Sequence, residues 1–194
     1  MSLPPEEAPD ATTTRSWRIT FNAPFALSFG LLASLVLLID VLTNGAMVQN
    51  MGLLPSWSWA GSYRMLTYIF CHANFMHLLG NLLFLLLLGP ILEEKYGTWS
   101  LALMTAITAI VTGVINALLF DQGLIGASGI VFMFILLSSI VNVRKREIPL
   151  SFVFIAVIYL GGEIANSFEE DNISQFAHIL GGLMGGVFGY WRLR

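Results

Sequence analysis

A chain of 194 residues with 56% hydrophobic and only 11% charged side chains lies far from the soluble average of about half apolar and a quarter charged. Those proportions exclude a water-soluble globular protein and imply an integral membrane protein built as one compact unit. The net charge of −3 and the single cysteine, Cys71, add that no basic surface dominates and that no internal disulfide can form.

In chain order, residues 1–23 read as a polar cytoplasmic tail, with Pro4, Pro5 and Pro9 ahead of Thr12, Thr13 and Thr14. The tail is acidic before Arg15, and the apolar run after it is long enough to span, which fits a cleavable signal peptide poorly. Residues 24–194 then divide into six apolar runs: Pro24 to Thr43, Met65 to Leu92, Tyr96 to Phe120, Gln122 to Val143, Ile148 to Asn166 and Asn172 to Trp191. Each is near the ~20 residues that a helix needs to cross a bilayer. Apolar residues cover all faces of these runs, without the short alternating segments of a barrel. The expected fold is therefore an all-α membrane protein, a six-transmembrane-helix bundle.

Lys and Arg collect on cytoplasmic flanks. Arg15 and Arg18, Lys95, Arg144-Lys145-Arg146, and Arg192 and Arg194 all fall on one side of the six-span arrangement, and only Arg64 falls on the other. Both termini are then cytoplasmic. The Arg144-Lys145-Arg146 run reads as a headgroup-facing topology signal, so the lipid bilayer and not nucleic acid is the expected partner.

That orientation gives depths to the polar groups. Ser128, in Gly126-Ala127-Ser128-Gly129, lies within about two turns of the outer end of span four, and His178 lies at a similar level in span six. Behind His178, Gly181, Gly185 and Gly189 recur every fourth residue and make a ridge on which another helix can pack closely, with Gly126 and Gly129 available on the partner. In span two, His77 and Asn81 are four apart and share a helix face, so both can donate hydrogen bonds toward one point. His72, five before His77, sits only loosely on that face. Taken singly, Ser128 could cap a helix, His178 could be structural or line an ion path, and His77 and Asn81 could bond a neighbouring helix. Taken together they are a nucleophile candidate and a base candidate at one depth, with a pair of donors of the kind that a developing oxyanion requires.

The set Tyr63-Arg64, His72, His77 and Asn81, then Gly126-Ala127-Ser128-Gly129, then Ala177-His178-Ile179-Leu180-Gly181 with Gly185, resembles the rhomboid family of intramembrane serine proteases across spans two to six. The resemblance implies a Ser-His dyad without a catalytic acid, cutting transmembrane or membrane-anchored protein substrates at small residues near the extracytoplasmic face. Ser128 would be the nucleophile and His178 the base and then the acid. His77 and Asn81 would form the oxyanion hole with the Ser128 amide. Gly126, Gly129, Phe132, His72, Gly181 and Gly185 would support them. A partly immersed loop is expected around Leu53-Leu54-Pro55-Ser56-Trp57-Ser58-Trp59, braced by Arg64, and spans two and five are expected to flank the side on which substrate arrives.

Two positions depart from the family pattern. Tyr63 stands where Trp is frequent, and Phe132 stands where a Tyr commonly packs on the catalytic histidine; stacking can persist at Phe132 without the hydroxyl's hydrogen bond. The expected location is the inner membrane of a bacterial cell.

Rival chemistries lack their residues. The spacing of His72, His77 and His178 matches no zinc-ligand pattern, Asp40 and Asp121 lie near span ends, and no cofactor motif occurs, so neither metal nor cofactor is expected. Glu163, inside span five, could line a wet lateral opening or be a buried structural group. The alternative function is a catalytically silent rhomboid-like protein that binds membrane clients; a small transporter would need inverted repeats, which are not evident.

Overall fold

A computed structural model of the protein describes residues 20–55, 61–120, 122–143, 150, 153–154, 157–158 and 172–192. Helices α1 (Pro24–Leu42), α2 (Ala46–Met51), α3 (Arg64–Thr67), α4 (Phe75–Tyr96), α5 (Thr98–Leu119), α6 (Ser128–Val143) and α7 (Asn172–Arg192) follow in order, with a 3₁₀ turn at Tyr68–Phe70 between α3 and α4. Among the described residues, α1, α4 and α5 are long and apolar enough to cross a membrane, and Ser128–Ser139 is a shorter apolar helix. The protein is a helical membrane bundle. Most of span five, with Glu163, lies outside the described residues, as do Arg144-Lys145-Arg146, Asp121, the first 19 residues and Trp57 and Trp59.

Two of the expected spans begin later than hydropathy suggests. Met65 to Leu92 reads as one apolar run, but the chain passes through α3, the 3₁₀ turn and the loop Cys71–Asn74 before α4 starts. Asn74 sets that start: its side chain accepts a hydrogen bond from the His77 amide at 2.9 Å, a capping interaction that satisfies one of the orphan donors of the first turn. Likewise the run from Gln122 to Val143 is loop as far as Ala127, and Ser128 is the first residue of α6. Leu124, Ile125 and Ala127 are apolar because they are buried or half-buried in protein, and hydropathy cannot separate that from a lipid-crossing helix.

The interior is filled from α6 outward. Ile130, Val131, Met133, Phe134 and Leu137 are at most 1% exposed, so α6 is buried on most of its surface, whereas Leu31, Leu35, Leu83 and Leu87 on α1 and α4 face outward. This is the distribution expected when lipid, not water, bathes the outside. Small residues then let backbones approach: a Cβ at Gly181 would collide with the Gly129 carbonyl, one at Gly185 with the Met133 carbonyl, and one at Gly89 with Ala26.

At the end of the bundle opposite Ser128, Glu93 closes α1 onto α4. Helix α1 starts at Pro24 behind Ala23, which has no capping side chain, so its first amides need an acceptor. The buried Glu93 carboxylate supplies it, accepting from the Phe25 amide at 2.8 Å, the Ala26 amide at 3.1 Å and the Thr98 hydroxyl at 2.7 Å. An acid at a helix N-terminus is favoured by the helix dipole as well. Hydrogen bonds to a charged group are worth roughly 1.5–3 kcal/mol each and do not simply add, so Glu93→Ala is expected to cost about 3 kcal/mol or more, and Glu93→Gln, which keeps an acceptor, distinctly less. Equilibrium unfolding in detergent micelles measures both.

Candidate active site

Ser128 owes its position to the loop before it. Leu53 and Leu124 exchange backbone hydrogen bonds at 3.0 and 2.9 Å, the Gly126 amide donates to the Tyr68 carbonyl at 3.1 Å, and the Asn116 side chain donates to the Gln122 carbonyl at 3.0 Å. The loop is thus fastened to the segment after α2, to the 3₁₀ turn and to α5 before it enters α6. Gly126 has a φ of +111°, where a side chain is strained, and a Cβ there would sit 2.8 and 2.9 Å from Cε1 and Nε2 of His77. Both facts require glycine, and the second brings the His77 imidazole against the residues that lead into Ser128.

The segment facing this loop is itself braced. Asp40, at the end of α1, accepts from the Val48 amide of α2 at 2.8 Å. Arg64 donates through Nη1 to the carbonyls of Gln49 (2.6 Å) and Gly52 (3.0 Å), the Tyr63 hydroxyl donates to the Asn50 carbonyl (2.9 Å), and the Thr67 hydroxyl donates to that of Met51 (2.8 Å). Asp40, read from the sequence only as an acid near a span end, ties α1 to α2. Tyr63 keeps an aromatic where Trp is frequent, and its hydroxyl bonds the braced segment.

His178 is carried by α7, buried to 4% exposure. The α6–α7 contact is made of main chain and small residues: a Cβ at Gly129 would be 3.2 Å from the Ala177 carbonyl, and Gly181 lies against Gly129. The residues next to Ser128 and next to His178 therefore touch. One turn below Ser128, the Phe132 ring stacks on the His178 ring, centroids 4.4 Å apart and planes 14° from parallel. Residues four apart share a helix face, so half-buried Ser128 stands on the face of α6 over which the imidazole lies. At the top of α7, the Phe176 ring meets that of Phe120, the residue just after α5, at 4.9 Å. Exchanging Phe132 for leucine keeps an apolar side chain, somewhat smaller, and loses the ring. A stacked pair contributes about 0.5–1.5 kcal/mol beyond its buried area, so Phe132→Leu is expected to lower stability by at least that amount, read as a fall in melting temperature in detergent micelles.

On α4, Asn81 is buried, and its Nδ2 donates to the His77 carbonyl at 2.9 Å, which uses one of its two amide hydrogens. The His77 Nδ1 accepts a long hydrogen bond, 3.5 Å, from the Ala73 amide; an accepting Nδ1 puts the ring proton on Nε2, the atom beside Gly126. The expectation that His72 sits loosely on the His77 face is revised, because His72 precedes α4 altogether. It lies in the loop Cys71–Asn74 with its ring edge-on to that of His77, centroids 5.0 Å apart at 70°. Burial, and secondly the His77 ring, lower the His72 pKa to about 4, so it is neutral at physiological pH. Burial, and secondly Asp40, raise the neighbouring Cys71 thiol to about 11, which leaves it a protonated, poor nucleophile. Among the described residues no group of three or more His, Cys, Asp or Glu side chains could hold a metal.

Glu93 was not singled out in the sequence. The signal available was an acid directly after an apolar run, four residues beyond Gly89, with a helix elsewhere that begins at Pro24 and has no cap of its own.

The chain is similar in sequence to several known proteins. The chain is 30% identical over 149 residues to "Rhomboid-like protein 11, chloroplastic" of Arabidopsis thaliana (69% of this chain, 51% of the relative) and 32% identical over 142 residues to "Rhomboid-related protein 1" of Caenorhabditis elegans (66% and 39%). It is 25% identical over 179 residues to "Rhomboid protease GlpG" of Yersinia pestis (88% and 63%). The chain spans between 39% and 63% of the length of these relatives. The family model described as the Rhomboid domain matches residues 60–194, the stretch that contains α3 to α7 and every residue of the candidate site, and the chain belongs to the rhomboid family.

Proposed function

We propose that this protein is an intramembrane serine endopeptidase that cleaves transmembrane or membrane-anchored proteins near the extracytoplasmic face. Residues 24–194 form a six-span catalytic unit with both termini cytoplasmic, residues 1–23 are a cytoplasmic tail, and the bacterial inner membrane is its location. The observation that carries the proposal is the stack of His178 on Phe132, one turn below Ser128, at a helix contact too close for any residue larger than glycine at position 181.

In this reading His178 removes the Ser128 proton as Oγ attacks the scissile carbonyl, and then returns it to the leaving amine. A histidine base ordinarily needs an orienting partner; here the Phe132 face holds the ring plane without an acid. The oxyanion forms at the N-terminus of α6, where the first amides have no intrahelical acceptor and the helix dipole favours negative charge. The Ser128 amide, the Nε2–H of His77 and the second Nδ2 hydrogen of Asn81 are its donors. Water for deacylation reaches Ser128 through a hydrophilic cavity open to the outer side. Cleavage of a reporter carrying one transmembrane helix with small residues at its outer end tests the proposal. Wild type cuts within that outer segment and Ser128→Ala does not; an uncut reporter bound equally by both proteins would favour a silent client-binding role.

A further inference from the structure

His72 is 1% exposed, and its two ring nitrogens have different fates. Nδ1 lies 3.2 Å from the Phe70 carbonyl. A carbonyl only accepts, so Nδ1 carries the proton and Nε2 is left as a buried acceptor that meets no donor among the described residues. An unmet buried acceptor costs about 1–3 kcal/mol, which an apolar side chain of the same size would avoid. Space-filling alone therefore does not account for a histidine here.

What the ring does is define one side of the place occupied by His77. Among the described residues, the surfaces that the His77 imidazole meets include the His72 ring edge-on, the Ala73 amide at Nδ1, and Gly126 along its Cε1–Nε2 edge. The Ala73 contact is long, and Gly126 presents no side chain, so neither fixes the ring plane by itself. The tethered His72 ring can. We propose that His72 is a positioning residue for the reaction: pinned to the Phe70 carbonyl, it holds the His77 imidazole in the plane that aims Nε2–H at the loop entering Ser128. A phenylalanine would offer a ring without the tether, and an asparagine a tether without the ring. This inference rests on the protease reading and adds to it a residue that touches neither substrate nor the reacting atoms.

The test is a double-mutant cycle on the full chain in detergent or liposomes, with kcat and KM measured for a transmembrane reporter in wild type, His72→Asn, His77→Ala and the double variant. Misplacing an oxyanion donor costs roughly tenfold to a hundredfold. His72→Asn, which can still bond the Phe70 carbonyl, is expected to keep its melting temperature and lose kcat by that factor, with KM within about twofold of wild type. On the His77→Ala background the same change is expected to cost less than about twofold, because there is no ring left to position. An equal factor on both backgrounds, or a wild-type kcat in His72→Asn, overturns the proposal while the protease reading stands. A wild-type protein that cuts no reporter overturns both.

Discussion

Replacing His178 with asparagine is expected to lower reporter cleavage by roughly three orders of magnitude, the upper part of the range for loss of a general base or acid. The residue has two tasks in the proposed cycle, taking the proton of Ser128 and giving it to the departing amine, and among the described residues the other histidine beside the serine loop, His77, is assigned to the oxyanion instead. Cys71 is held protonated, and His72 faces the Phe70 carbonyl and the His77 ring. Asparagine keeps a polar side chain of modest size between α6 and α7, so the loss should appear in kcat while the unfolding midpoint moves little. A variant that retained more than about a tenth of the activity would mean that the base lies elsewhere.

The second large effect concerns geometry without chemistry. Gly181→Leu leaves Ser128, His178, His77 and Asn81 untouched, yet a side chain at that position meets the Gly129 carbonyl, a main-chain group that cannot rotate away. Helices α6 and α7 must separate, and a displacement near 1 Å between reacting groups can cost about a hundredfold. Activity is expected to fall by at least that factor. Gly186→Ala on the same helix is the control, since a Cβ there meets nothing within 4 Å and alanine improves helix propensity by up to about 1 kcal/mol. It should retain activity, measured with the same reporter, and an equal loss in both variants would place the effect in α7 stability rather than in its approach to α6.

These cases show which parts of the protein were legible in its residues. The glycines behind His178 are spaced for close helix contact, and charge asymmetry put Ser128 and His178 at one depth, so a meeting of those two helices could be read from the chain. The family resemblance, not the spacing itself, implied that the aromatic at 132 would lie against the histidine, and the rings do stack. Other features depend on partners far away in sequence. Nothing local announces that the Tyr68 carbonyl will hold Gly126, that Leu53 will pair with Leu124, or that Glu93 will cap a helix about 67 residues earlier. Hydropathy also misjudged the starts of α4 and α6, because apolar loop residues buried in protein look the same as apolar residues in lipid. Asn74 was the one local signal for the first of these, as a capping side chain three before His77.

The central claim is that Ser128 is an activated nucleophile, and reaction with a fluorophosphonate tests it most directly. Wild-type protein is expected to acquire one covalent adduct, mapped by mass spectrometry to Ser128, with labelling abolished in Ser128→Ala and strongly slowed in His178→Asn. Folded wild-type protein that does not react at Ser128, or a Ser128→Ala variant that still cleaves the transmembrane reporter, would contradict it.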